Sequence, residues 1–298
     1  MLDLAGCWTL SDESGAHVVS FDLPGDGITA LHKAGVIPDP YWGRNEYDCR
    51  WVAERVWVAR RRFDHDGSPC DLVIDGLDGV VEVVLNDRHL ALCGNAFRRW
   101  RIPTHDRLRD GENTIELRFW SSVQEAARRQ EDQPFFVPYA AQNCPIPHGN
   151  MLRKPACDFG WDWNIALAPF GVWGRLALEP TGPRIADILV SQDHYADRID
   201  VALQVLTAGV ADGQTVTATL CGVTATAPVV KGRAFPTVQV PTKGAAKWWP
   251  AGLGPQALHD LTVTVGLAKA HRRIGLREIS LVSEPDAAGR SFGFRVNG

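Results

Sequence analysis

In "GENTIELRFW" the apolar residues alternate. Ile115, Leu117 and Phe119 fall on one side of an extended chain, and Thr114, Glu116 and Arg118 on the other. That period of two is the signature of a half-buried strand. "VVEVVLNDRHLAL" reads as two strands about Asn86-Asp87, a turn-forming pair. "VWVARRRF" and "VWGRLALEP" add further strands, and the basic run Arg60-Arg61-Arg62 reads as solvated strand or edge positions. Helical periodicity is scarce. Its best instance is "SSVQEAARRQ", with Ser121 or Ser122 as the cap and Glu125 behind it. Short strands broken by Gly, Pro and Asp turns predict an all-β protein built as a β-sandwich.

"EPTGPR", Glu179 to Arg184, predicts a boundary that divides the chain into domains 1–180 and 181–298. Beyond it come strand-like runs: "IADILVS", "IDVALQVL", "QTVTATL", "FPTVQV" and "LHDLTVTVGL", then a final pair, "RIGLREISLV" and "SFGFRVNG". Their spacing predicts an immunoglobulin-like sandwich of roughly 100 residues. No Cys pair bridges the strands, so an antibody-type domain is excluded. Asn297-Gly298 is itself a hairpin-turn pair, which raises the expectation of a further strand and of a longer parent protein.

Composition narrows the function classes. The 298 residues are 45% hydrophobic and 22% charged, with a formal net charge of -4, as expected of a globular protein with no general affinity for nucleic acid. No apolar run approaches the roughly 20 residues that span a bilayer, so no membrane partner is expected. The N-terminus carries no basic n-region and no long apolar h-region, the marks of a secretory signal. Seven cysteines, an odd number at irregular spacing, predict reduced thiols and a cytoplasmic location. Cys144, His148 and Cys157 have no paired CxxC to support a zinc site, so no metal and no cofactor is expected.

One stretch breaks the strand pattern: "QPFFVPYAAQNCPIPHGNMLRKPACDFGWDWNIALAPFG". Pro134, Pro138, Pro145, Pro147, Pro155 and Pro169 deny it any long regular element. Its aromatic residues argue that it is held in place, as a binding loop is. At its centre stands "FGWDW". Sugars offer C–H faces that stack on indole rings and vicinal hydroxyls that bond a carboxylate, so Trp161 and Asp162 on a loop rim can supply both contacts. The bland alternative makes both tryptophans core anchors of the loop. We read Trp163 as a structural anchor and Asp162 as functional, because a carboxylate between two indoles is costly unless satisfied. Arg153 and Lys154 either position a polar ligand or pin the loop by pairing with Asp158 and Asp162; we read them as pins. His148 is expected to satisfy a backbone group.

"WGRNEYDCRWVAERVWVARRRF", "RKPACDFGWDWNIALAPFGVW", "KWWPAGLGPQALHDLTVTV" and "IGLREISLVSEPDAAGRSFGFRVNG" occur in that order and span nearly the whole chain. Together they resemble the β-mannosidases of glycoside hydrolase family 2. The resemblance implies a galactose-binding-like jelly-roll domain, then an immunoglobulin-like sandwich, then a (β/α)8 barrel that this chain lacks. It also implies that the N-terminal domain sends a loop into the barrel's active site, where the residues matching Trp161 and Asp162 contact the mannose ring.

Such enzymes are retaining, with two carboxyl groups about 5–5.5 Å apart. The resemblance places both in the barrel, so no catalytic residue is expected in this chain. Asn45-Glu46 matches a non-catalytic Asn-Glu of the family's first domain. The expected partners are therefore a β-mannoside or manno-oligosaccharide and the missing catalytic barrel. A free-standing carbohydrate-binding protein is the alternative, and a pure scaffold the third reading. Without a barrel, part of the Phe135 to Trp163 loop is expected to be exposed, and the loop mobile or rearranged.

Overall fold

The structure is a computed structural model that describes every residue from Met1 to Gly298. The chain forms two compact units, Met1–Thr181 and Gly182–Gly298.

In the first unit every strand pairing is antiparallel. A six-stranded sheet runs in the order Val18–Leu23, Gly6–Asp12, Trp57–Asp66, Asp110–Phe119, Val81–Leu85, Arg88–Cys93. A four-stranded sheet runs Leu2–Asp3, Leu176–Pro180, Cys70–Asp75, Arg99–Pro103. Their inner faces share one core, to which the first sheet contributes Trp8, Phe21, Trp57, Ile115 and Leu117 and the second Leu72, Ile74, Ile102 and Leu176. Burying two indoles requires partners for their N–H groups. Trp8 Nε1 donates to Leu4 O at 3.0 Å and Trp57 Nε1 to Val52 O at 2.9 Å.

The expected strands form, except that "VWGRLALEP" breaks at Trp173–Arg175 into Gly171–Val172 and Leu176–Pro180, which join different sheets. Asn86 and Asp87 sit at φ 51° and 62°, the left-handed pair that a tight hairpin needs. Glu116 is buried although it lies on the polar side of its strand. Arg60 reaches it from the paired strand at 2.5 Å and Arg118 at 2.9 Å, which replaces the lost water. The Arg60–Arg62 run lies on a central strand rather than at an edge, with Arg60 and Arg62 at solvated strand positions, and Arg61 donates to the carbonyls of Leu4 and Ala5.

The predicted helix spans Ser122–Glu131, and Ser121 Oγ caps it by accepting from Gln124 N at 3.1 Å. Glu125 does not close a capping box. It is buried and pairs with Arg128 and Arg129, both at 2.8 Å. No helix is long and apolar enough to cross a membrane.

The second unit is also a two-sheet sandwich. One sheet sets Arg184–His194 beside Arg198–Ala208, whose other edge takes Arg233–Ala234 and Thr237–Pro241; the second runs Val223–Pro228, Thr215–Leu220, His259–Val265, Ala268–Ile274. Ile199, Val201, Leu203 and Val205 alternate inward against Val216, Ala218, Leu261 and Val263. Besides the two-residue Arg233–Ala234, two of its strands escape the sequence reading, Val223–Pro228 and Ala268–Ile274. The two longer ones are the outer strands of their sheet, rich in Ala, Thr, Lys and Arg, and their half-exposed positions carry little apolar alternation.

"RIGLREISLV" is not one strand. It breaks at Gly275, where a Cβ would lie 2.8 Å from Trp248, and Leu276 then plugs the core at 0% exposure. Ile279–Val282 pairs instead with Gly293–Val296, so the terminal strand already has a partner within the chain. This ribbon leaves Ile279, Leu281, Phe292 and Phe294 exposed.

Candidate functional site: the aromatic loop of the first unit

The segment 133–170 holds only single 3₁₀ turns at Gly149–Met151 and Ala156–Asp158, with a turn of partly left-handed backbone at Trp161–Trp163. The prolines forbid more, so the segment must be held by side chains. At its end Phe170 enters the main core, stacked on Trp57 at 6.0 Å and tilted against Phe119 at 5.0 Å between ring centres. In its middle Phe159 is 1% exposed and packs with Ile146, Leu152 and Ala166. Gly149 permits this, since a Cβ there would lie 2.4 Å from the Phe159 ring.

Lys154 is the electrostatic centre. Its side chain is 1% exposed, and its Nζ lies 2.7 Å from Asp78 Oδ2 and 2.7 Å from Asp158 Oδ2. It donates as well to the carbonyl of Pro169. The ammonium thus makes two hydrogen bonds, to Asp78 and to Pro169, and a further ion pair with Asp158, so two carboxylates balance its one charge. Asp78 Oδ2 also accepts from Trp173 Nε1 at 3.1 Å. Burial pushes the Asp78 carboxyl above its usual range, against the pull of Lys154. One ammonium therefore ties the loop at 154, 158 and 169 to the sandwich at 78. Asp78 and Trp173 escape the sequence reading, because residues 76 and 19 positions from Lys154 carry no spacing signal.

Above this base the tip closes on itself. The carbonyl of Asp158 accepts from Leu167 N and Ala168 N at 3.2 and 2.8 Å, and Phe159 bridges Ala166. Between them the chain turns through Gly160, Asp162 and Trp163 at φ 102°, 59° and 65°. At Gly160 a side chain is excluded as well, for a Cβ would meet Asn143 O and Pro145 Cδ at 2.8 Å. For Asp and Trp this backbone is costly and persists only where the surroundings impose it. The turn drives Asp162 outward, and its carboxylate makes no hydrogen bond or ion pair within the chain.

Trp161 is 43% exposed, with part of its ring against the loop. Together with Tyr139 and Phe159 it walls a pocket of about 360 Å³.

Three expectations are corrected here. Trp163 is not an anchor: it is 81% exposed, because the left-handed turn at 162–163 carries it away from the core and Phe159 takes the anchoring role. Arg153 does not pin the loop through its side chain, which is exposed and unpaired; its carbonyl does so by accepting from Ala96 N at 2.9 Å. His148 does not use its ring to satisfy a backbone group. The ring stands edge-on to Tyr139 at 5.0 Å and to Phe136 at 5.9 Å, and its Nδ1 is buried without a partner. Cys144, His148 and Cys157 do not gather into a metal-ligating group. Glu46 lies on the short helix Asn45–Cys49 and pairs with Arg50 at 2.9 Å.

The sandwich with its looped-out aromatic segment matches a known domain. Residues 8–174 fit the family described as glycosyl hydrolase 2 galactose-binding domain-like. The chain belongs to that family. The matched span contains the whole aromatic loop with Arg153, Lys154 and Trp161 to Trp163, and it places the first unit among galactose-binding-like jelly-roll sandwiches.

Among curated proteins, β-mannosidase B of Emericella nidulans is 30% identical over 291 residues, covering 90% of this chain and 34% of that protein. The β-mannosidase of Capra hircus is 28% identical over 330 residues, covering 100% of this chain and 37% of its own length. The crystal structure of β-D-mannosidase from Dictyoglomus thermophilum superposes with a TM-score of 0.84 at 25% identity, over 99% of this chain and 38% of that one. The family member described here thus spans about a third of the length of these curated relatives.

Proposed function

We propose that this chain is the sugar-facing, non-catalytic part of a β-mannosidase-type retaining glycoside hydrolase acting on terminal β-D-mannose residues. The observation that carries the reading is the Trp161-Asp162 pair: an unpartnered carboxylate beside a half-exposed indole, raised on a strained turn whose base is locked by Lys154. A preorganised anion without an internal partner suits hydrogen bonding to vicinal hydroxyls, and an indole face suits the C–H face of a pyranose. The mannosidase names of the relatives supply the substrate class.

In this reading Asp162 and Trp161 position the sugar. The two carboxyl groups of the double displacement come from further polypeptide of the kind that makes the relatives about three times longer. The second unit is then an immunoglobulin-like sandwich, which its strand order supports: first, second and fifth main strands in one sheet against third, fourth, sixth and seventh in the other. Seven unpaired cysteines favour a cytoplasmic setting.

The test uses the polypeptide captured from source cells with an antibody against this chain. It is expected to hydrolyse 4-nitrophenyl β-D-mannoside. Asp162→Ala is expected to lower kcat/KM by about 100-fold, the scale of losing one or two hydrogen bonds to a charged acceptor. Unchanged kcat/KM in that variant removes Asp162 from the site. Hydrolysis by residues 1–298 alone contradicts the division of labour.

A further inference from the structure

We infer that the pocket beneath Trp161 is a binding site for the neutral, apolar or aromatic leaving-group portion of a β-linked glycoside. The inference rests on the proposed sugar-facing role of Asp162 and names the other half of the ligand.

The pocket is built from one continuous stretch, Pro138 to Trp161, and its volume of about 360 Å³ falls within the range of small-molecule sites. Its walls are the rings of Tyr139, Phe159 and Trp161 with Ala140 and Ala156 at the mouth, both exposed. Phe159 and Gly149 are in close contact and the Gly160 backbone is crowded by Asn143 and Pro145, so the walls are preformed rather than collapsible.

The polar groups decide the ligand's chemistry. Lys154 is the one charged residue in the lining; it is buried, hydrogen-bonded to Asp78 and the Pro169 carbonyl, and its charge is already met by the carboxylates of Asp78 and Asp158. Two carboxylates against one ammonium leave no positive charge to attract an anion. Asn150 Nδ2 is engaged with Pro138 O at 3.1 Å. Among the side chains what remains is the Tyr139 hydroxyl, the Asn150 side-chain carbonyl and the weakly polar Cys144 thiol, enough for one or two good hydrogen bonds. A hexose with its several hydroxyls would be left underbonded there, at a cost for each unpaired group. A phenyl or alkyl group would not. Because Trp161 forms the wall and Asp162 follows it directly, a glycoside held at its sugar by Asp162 has the pocket mouth beside it.

The experiment titrates residues 1–298 with methyl β-D-mannoside, 4-nitrophenyl β-D-mannoside and free 4-nitrophenol, by calorimetry with ligand-observed NMR for weak binding. The aryl mannoside is expected to bind at least about 10-fold more tightly than the methyl mannoside, in keeping with burial of one ring, and 4-nitrophenol is expected to compete with it. Ala156→Trp, and separately Ala140→Trp, fill the mouth from exposed positions and are expected to erase the aryl advantage without shifting the thermal midpoint.

Equal binding of the two mannosides, with the methyl compound bound, overturns the pocket and leaves the role of Asp162 standing. Binding of 4-nitrophenol that Ala156→Trp abolishes, with no response to methyl mannoside, supports the pocket and sinks the mannoside reading. An aryl advantage that survives both Trp variants, or no binding of either aryl compound up to about 10 mM, where an affinity weaker than about 3 kcal/mol lies, overturns the pocket.

Discussion

Lys154 and Asp162 lie on the same loop, and the structure treats them in opposite ways. Lys154 is a charge removed from water, surrounded by three oxygens and 1% exposed. Asp162 is a charge left in water, with no partner and with its backbone in the left-handed region. The difference teaches that loop order and loop function are carried by separate residues. A segment without helix or strand gains its rigidity at the base, and its tip is then free to hold a conformation that stability alone would not select.

The sharpest way to break this contrast is Lys154→Met. It strands Asp78 in the interior without its cation, and breaking a buried pair from one side costs about 3–5 kcal/mol. Urea unfolding of residues 1–298 should show that loss, with protease cleavage appearing between 133 and 171. Lys154→Arg should recover part of it. Phe159→Ala comes next: it empties the apolar half of the same base and should cost about 3 kcal/mol, with the loop again becoming cleavable.

The acid limb sharpens the contrast through charge. The hydrogen bonds and charges of Arg128 and Arg129 hold the Glu125 carboxyl below its usual range. Its stabilisation is therefore present above the unfolded value and is lost as pH falls through the lowered folded value. Asp78 has the opposite sign: its carboxyl is raised by burial, so its contribution is fullest at low pH and declines as pH rises through the folded value. Glu125→Gln should flatten the loss of stability on the acid side in chemical denaturation at stepped pH. Asp78→Asn should not flatten it.

The smallest effects belong to the tip. Asp162→Asn and Trp163→Ala should each leave unfolding free energy within about 0.5 kcal/mol, as exposed positions do. Only the former should impair mannoside recognition. A loss above about 2 kcal/mol from Trp163→Ala would restore it as an anchor.

How far these residues were legible in advance follows from which interactions are local. Alternation placed the strands around Ile115 and Asn86-Asp87, and the cap and spacing of "SSVQEAARRQ" placed the helix. Proline spacing marked 133–171 as a loop, and "RKPACDFGWDW" pointed to the residues that stand at its base and tip. Outer strands such as Val223–Pro228 carried too little apolar contrast to be seen.

Amino-acid order by itself determined the all-β class, the irregular loop and the chemistry available on it, because period, turn residues and side-chain type are local properties. Only the tertiary structure decided that Lys154 meets Asp78, that Phe159 rather than Trp163 is the anchor, and that Asp162 stands free. Those outcomes depend on which distant groups share a buried volume, and on a left-handed turn that packing around it selects.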